Sequence, residues 1–311
     1  MSSHHLPPPP APEADGPARP RRVGRRGLAL IPLATLAFVM YFVQLPYFVL
    51  GPGPARDVEP LIEITGAQVY PSRGHFVLTA VTFDRANVYG LLAAWGDPTR
   101  AVLSERDLLT PGRSEEEEAR VARSQMDTSK IDAAIVALSR YAGYPANHAP
   151  GALVERATSG SPAAGKLFAG DVIVAADGHR VDGPNDLRAR IQAAGAGTPI
   201  RLTVRGRPGG EARVTVTPAR FRIDGETRIL IGVVLVRAFP FPISIRSGEI
   251  GGPSAGLMWA LGLIDLLTPG DLTGGRTIAG TGSIDPTGRV FPVGGVEEKV
   301  DAARRVGAKM F

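Results

Sequence analysis

The 311-residue chain has no cysteine, which excludes disulfide frameworks, thiol catalysis and cysteine-based zinc sites. It has no Gly-x4-Gly-Lys-Ser/Thr run, so the phosphate-cradling loop of an ATPase is missing, and neither ATP nor any other cofactor or metal is expected. Histidine is scarce: His4, His5, His75, His148 and His179 all precede the serine motif described below. Lysine is scarcer, since of 35 basic residues only Lys130, Lys166, Lys299 and Lys309 are not arginine. A broad positive surface is lacking too. The net charge is +5, but Arg19, Arg21, Arg22, Arg25 and Arg26 against Glu13 and Asp15 put +3 of it in residues 1–27. The remainder is too small to argue for nucleic acid.

What is present can fold. Hydrophobic residues make up 44% and charged residues 21%, with room for about two domains. Residues 1–27, holding the run Pro7 to Pro10 and the arginines, are expected to be a disordered basic tail. Leu28 to Leu50 follows as 23 residues without a charge, which as a helix spans roughly 34 Å against a hydrocarbon core of about 30 Å. A cleaved signal peptide fits less well because no A-x-A-like site follows, and a core helix rarely runs so far without charge. Residues 28–50 are therefore expected to be a transmembrane helix in contact with membrane lipid. The arginine excess before the run predicts a cytoplasmic N-terminus and places everything after the run outside the cytoplasm.

Residues 51–140 read as short strands, Leu61–Ile64 and Phe76–Thr82, followed by helix. Ser114 and Glu117 form a capping box, and a second start at Asp127 leads into the stripe Ile131, Ala134, Ile135 and Leu138. No chemistry is expected there. Residues 141–220 change character. Strand Ala152–Arg156 precedes Gly160-Ser-Pro-Ala-Ala-Gly165, then Gly170-Asp-Val-Ile, an Asp177-Gly178 turn, a helix over Pro184–Ala194 and strands over 200–205 and 212–218. This stretch resembles a PDZ domain of the bacterial protease type. The resemblance implies a β-rich domain with two helices that adds an extended peptide to an exposed sheet edge, expected near Leu153 beside the helix from Pro184.

Chemistry concentrates further on. Gly251-Gly-Pro-Ser-Ala-Gly256 runs into an apolar segment, Leu257–Leu267, as a tight turn opening a helix. Ser254 then lies where free backbone N–H groups can stabilise an oxyanion, with Gly252, Pro253 and Ala255 forming the turn. In Val296–Val306 the apolar stripe is Val296, Val300, Ala303 and Val306, with Lys299 inside it and Glu297, Glu298, Asp301, Arg304 and Arg305 outside. A desolvated lysine can act as a neutral base, as arginine cannot. A lysine snorkelling from the stripe's edge is the competing possibility.

The series Gly-Pro-Ser-Ala-Gly, Leu272-Thr-Gly-Gly, Ala279-Gly-Thr-Gly-Ser-Ile-Asp-Pro-Thr-Gly-Arg289 and Val-Gly-Gly-Val-x-x-Lys closely resembles the proteolytic domain of Lon proteases. With the apolar run and the PDZ-like stretch, the order resembles the membrane-anchored, PDZ-containing Lon-like serine proteases of bacteria. The resemblance implies that Ser254 is the nucleophile, Lys299 the general base, and Thr281 the threonine that hydrogen-bonds the lysine. It also implies an α+β fold over residues 221–311 that continues in the family beyond Phe311, so the domain is expected to be incomplete here. The family pattern has an acidic residue three before the serine; here that residue is Gly251, and the nearest acid is Glu249. The implied function is ATP-independent endoproteolysis of extracytoplasmic or membrane-proximal proteins or peptides, with homo-oligomerisation left open. Two alternatives stand beside it. One is a non-catalytic membrane scaffold binding peptides through the PDZ domain. The other is an α/β-hydrolase elbow, G-x-S-x-G, which needs a histidine after the serine.

Overall fold

The computed structural model describes residues 25–223 and 225–311. The expected disordered tail falls outside these residues except for 25–27, which begin helix α1 (Arg25–Phe42). The apolar run does not stay helical. At Gln44 it enters strand β1 (Gln44–Asp57), which pairs antiparallel with β3 (His75–Asn87) on one side and β4 (Ala101–Ser104) on the other. None of the described helices is long and apolar enough to cross a membrane. The predicted span over 28–50 is thus corrected, and with it the single-pass placement that put the rest of the chain outside the cytoplasm. The physical reason is that β1 is an interior strand. Phe48, Val49 and Leu50 are buried, so the strand lacks the polar alternation that would have marked it off from the helix before it. Pro52 and Pro54 lie where the β1–β3 register breaks, as a residue without an N–H requires.

A short 3₁₀ turn (Glu59–Leu61) and strand β2 (Ile62–Ile64) separate β1 from β3; after β3 come α2 (Val88–Trp95), β4, α3 (Glu105–Leu108) and α4 (Glu115–Tyr141). The Ser114–Glu117 capping box is present at the start of α4. The second start at Asp127 is not; α4 runs unbroken for 27 residues because its apolar stripe carries the helix past that point.

The chain then builds a second sheet. Strands β5 (Ala149–Ala157), β6 (Val172–Ala176), β8 (Ile200–Arg207), β9 (Gly210–Val216) and β12 (Val233–Ala238) lie in the order β12-β5-β6-β8-β9, all antiparallel, with β7 (His179–Arg180) paired to β6. A hairpin, β10 (Ala219–Ile223) and β11 (Glu226–Leu230), precedes β12. Helix α5 (Pro184–Ala194) buries Leu187 and Ile191 against the core of Val154, Ile173, Leu202 and Val216. It is the only helix here among the described residues; the second one expected is a run of turns after Ser161.

After β12 the chain returns to the first sheet. Strand β13 (Ile243–Ile245) pairs with β2, helix α6 (Gly256–Leu267) packs along α4, and β14 (Thr277–Gly280) adds parallel to β3, giving the order β14-β3-β1-β4. A small hairpin, β15 (Ser283–Ile284) and β16 (Val290–Phe291), leads to α7 (Val296–Arg305). One core joins Val58, Phe76, Leu78, Met126, Met258, Trp259 and Ile284, residues from both flanks of the second sheet. The segments 51–140 and 244–311, which belong to separate regions on the sequence pattern, thus share a sheet and a core, with the β12-β5-β6-β8-β9 domain inserted between them.

Candidate active site

Ser254 occupies a single 3₁₀ turn, Pro253–Ala255, that opens directly into α6. Two bonds from α4 clamp the turn. Gly252 N–H donates to Ala122 O at 2.7 Å, and Ser129 Oγ donates to Pro253 O at 3.0 Å. The approach of α4 also crowds Gly251, since a Cβ there would lie 3.0 Å from Ala122 Cβ, so the acidic residue of the family pattern would require α4 to shift. Of the turn residues Gly252, Pro253 and Ala255, the first has spent its N–H on Ala122 and the second has none. The 3₁₀ turn engages the Ala255 N–H with Gly252 O and the Gly256 N–H with Pro253 O, which leaves the Ser254 N–H as the donor the turn offers an oxyanion.

Lys299 lies on α7 and is 3% exposed. Its Nζ donates to Thr281 Oγ1 at 3.1 Å, and Thr281 Oγ1 donates to Ser254 O at 3.0 Å. The threonine hydroxyl therefore accepts from the amine and gives its own proton to the backbone of the serine. Gly282 N–H reinforces the same carbonyl at 2.7 Å. Burial pushes the Lys299 amine below the ordinary lysine value, partly opposed by the charge of Glu298. Such an amine loses its proton more readily than a solvated one, and Thr281 fixes where it points.

The inward face of α7 differs from the apolar stripe. Glu298, Lys299, Ala302 and Ala303 are buried, whereas Val296 and Val306 are exposed. The small side chains of Ala302 and Ala303 let the helix approach β1, β3 and β14 closely. Glu298, expected outside, is carried in with them. No group of histidine, cysteine or carboxylate side chains that could hold a metal occurs among the described residues.

Leu153 stands apart from this cluster and from any free edge. It is 2% exposed, on interior strand β5, between β12 and β6. The edge strand on that side is β12, and α5 reaches it, with Gln192 Nε2 donating to Ile229 O just ahead of the strand. The pairing partner of β5 lies about eighty residues downstream, which no local pattern reveals. Ser129 and Ala122 were likewise invisible in sequence, because nothing about α4 signals which neighbour it clamps.

Residues 244–311 match the Lon protease (S16) C-terminal proteolytic domain, and residues 153–206 match a PDZ domain. Among curated proteins, the chain is 32% identical over 111 residues to the Lon protease of Flavobacterium johnsoniae, covering 35% of this chain and 13% of that protein. It is 36% identical over 115 residues to the Lon protease of Roseiflexus castenholzii, covering 35% of this chain and 14% of that one. Among solved structures it is similar to the PDZ domain of the SdrC-like protein of Listeria innocua, at 26% identity over 27% of this chain and 92% of that one, with a TM-score of 0.23. The chain thus covers between 6% and 14% of the length of the curated relatives it matches. It contains a Lon-type proteolytic domain and a PDZ domain, and the former supports a serine peptidase.

Proposed function

We propose that the chain is a serine endopeptidase that cleaves protein or peptide substrates with a Ser254–Lys299 pair. The observation that carries this is the hydrogen-bond chain from the buried Lys299 amine through Thr281 to the backbone carbonyl of Ser254, which holds base and serine turn together. Ser254 Oγ attacks the scissile carbonyl carbon while neutral Lys299 Nζ takes the hydroxyl proton. The carbonyl oxygen becomes an oxyanion that the Ser254 N–H at the start of the turn can hold. On collapse the C–N bond breaks and the lysine ammonium protonates the departing amine. Water then attacks the acyl-serine, giving a proton to Lys299; the C–Oγ bond breaks, the carboxyl product leaves, and the lysine ammonium returns the proton to Ser254 Oγ. No step in this scheme consumes a nucleotide.

The PDZ domain supplies a second element. Strand β12 is the sheet edge beside α5, and an extended peptide added there would be recruited by main-chain hydrogen bonds rather than by one side chain. The same edge would serve a non-catalytic scaffold, so the two functions are separated at the serine. A fluorophosphonate probe should label the wild-type protein and leave Ser254→Ala unlabelled, and wild type should hydrolyse casein-derived peptides without added ATP. Equal labelling of both proteins would remove Ser254 from the role of nucleophile.

A further inference from the structure

Immediately beside the serine turn is a cavity of about 250 Å³, bordered by Thr128, Ser129, Asp132, Arg156, Pro253 and Ile284. Pro253 precedes the serine, and Ile284 lies two residues after Gly282, which with Thr281 holds the serine's carbonyl. Asp132 lies on the buried side of α4. It is only 8% exposed, and its Oδ1 has no hydrogen-bond partner among the described residues. A carboxylate removed from water without a partner is costly, and Asp132 borders a space large enough to supply one. Its other charged neighbours are Glu155 and Arg156 of β5 and Asp285 after β15. Arg156 is already committed to Glu155, leaving the neighbourhood with a surplus of negative charge.

We infer that this cavity receives a lysine or arginine side chain of the substrate, with Asp132 as its counter-charge, so that the peptidase prefers a cationic residue next to the scissile bond. This rests on the serine-peptidase proposal above. Burial first, then Glu155 and, further down, Asp285, push the Asp132 carboxyl up to about 7 against the opposing effect of Arg156. A cation seated in the cavity relieves that penalty; a neutral side chain leaves it in place. Discrimination of this kind is strong because the wrong substrate leaves a buried polar group unpaired.

The test separates binding from turnover. Full-chain Ser254→Ala protein is titrated with fluorescent peptides in which a single lysine is stepped along the sequence, each matched with its norleucine counterpart. At one position lysine should bind at least about tenfold more tightly than norleucine, and Asp132→Asn should erase that difference while leaving norleucine peptides nearly unchanged. Arg156→Ala, which removes the one opposing cation, should widen the lysine preference, and it reads the cavity independently should Asp132→Asn misfold. A lack of lysine preference at every position, an equal loss for both peptides in Asp132→Asn, or no widening in Arg156→Ala would overturn the assignment. If the preferred peptide binds but the protein with Ser254 intact does not cleave it, the peptidase proposal fails and the cavity assignment stands. If cleavage occurs without lysine preference, the reverse holds.

Discussion

In the proposed mechanism Lys299 holds a position that only a lysine serves. It is the sole buried lysine among the described residues, and its amine is both desolvated and anchored to Thr281. A base must be deprotonated to work, so peptide hydrolysis should rise with pH through the lowered value of this amine. Lys299→Arg should abolish turnover, because the guanidinium stays protonated; retention of most activity would force a search for another base. Thr281→Ala should slow hydrolysis by about tenfold without ending it, since nucleophile and base remain. A different residue governs stability. Burial, with Asp265 and to a lesser degree Asp57 and Asp271, pushes the Glu59 carboxyl up to about 7. Between about pH 4 and 7 the folded state then holds a proton that the unfolded chain has released, so stability falls as pH rises across that window. Glu59→Gln should flatten this fall and raise Tm at pH 8, measured by thermal unfolding across the pH range.

The α4–α6 pair is the element on which the site depends. Helix α6 launches from the serine turn, and α4 both clamps that turn and packs along α6. Trp259 is the largest fully buried side chain, and its indole N–H points at Met126 Sδ of α4 at 3.4 Å. Trp259→Ala should therefore cost about 3–5 kcal/mol in chemical denaturation. Activity lost by this variant should return under conditions that restore folding, unlike activity lost at Ser254. A helix face this closely fitted also explains why Gly256 cannot be enlarged, since a Cβ there would sit 2.6 Å from Ser129 Oγ.

At the scale of the molecule, the protease-like fold is assembled from two separated stretches. Strand β14 finds its partner in β3, and α6 finds its partner in α4, about a hundred residues or more upstream in each case. A fragment of residues 244–311 should accordingly show no cooperative unfolding by circular dichroism. Conversely, Ala149 pairs with Ala238, so the inserted domain begins and ends at neighbouring points. Replacing 149–238 with a short Gly-Ser linker should leave a cooperatively folded protein with a bound Ser254–Thr281–Lys299 network. Loss of cooperativity in that protein would mean the inserted domain is part of the core rather than an appendage.

Local pattern was enough wherever the physics is local. The Ser114–Glu117 capping box, the bounds of α5 and the turn that opens a helix at Ser254 each depend on spacing over a few residues, whereas the buried face of α7, with Glu298 and Lys299 in and Val296 and Val306 out, did not follow its apolar stripe. Charge counting and the absence of cysteine likewise needed no fold. Tertiary structure decided the rest. Residues 28–50 are uniformly apolar both in a membrane span and in a helix running into an interior strand, so only the pairing of β1 with β3 and β4 distinguishes them. Leu153 lost its free edge to β12, a strand beyond the boundary that composition suggested. Asp132 and Ser129 came to the serine turn because α4 packs against it from more than a hundred residues away. Periodicity suggests which face of a helix is buried; only long-range packing decides it, and against what.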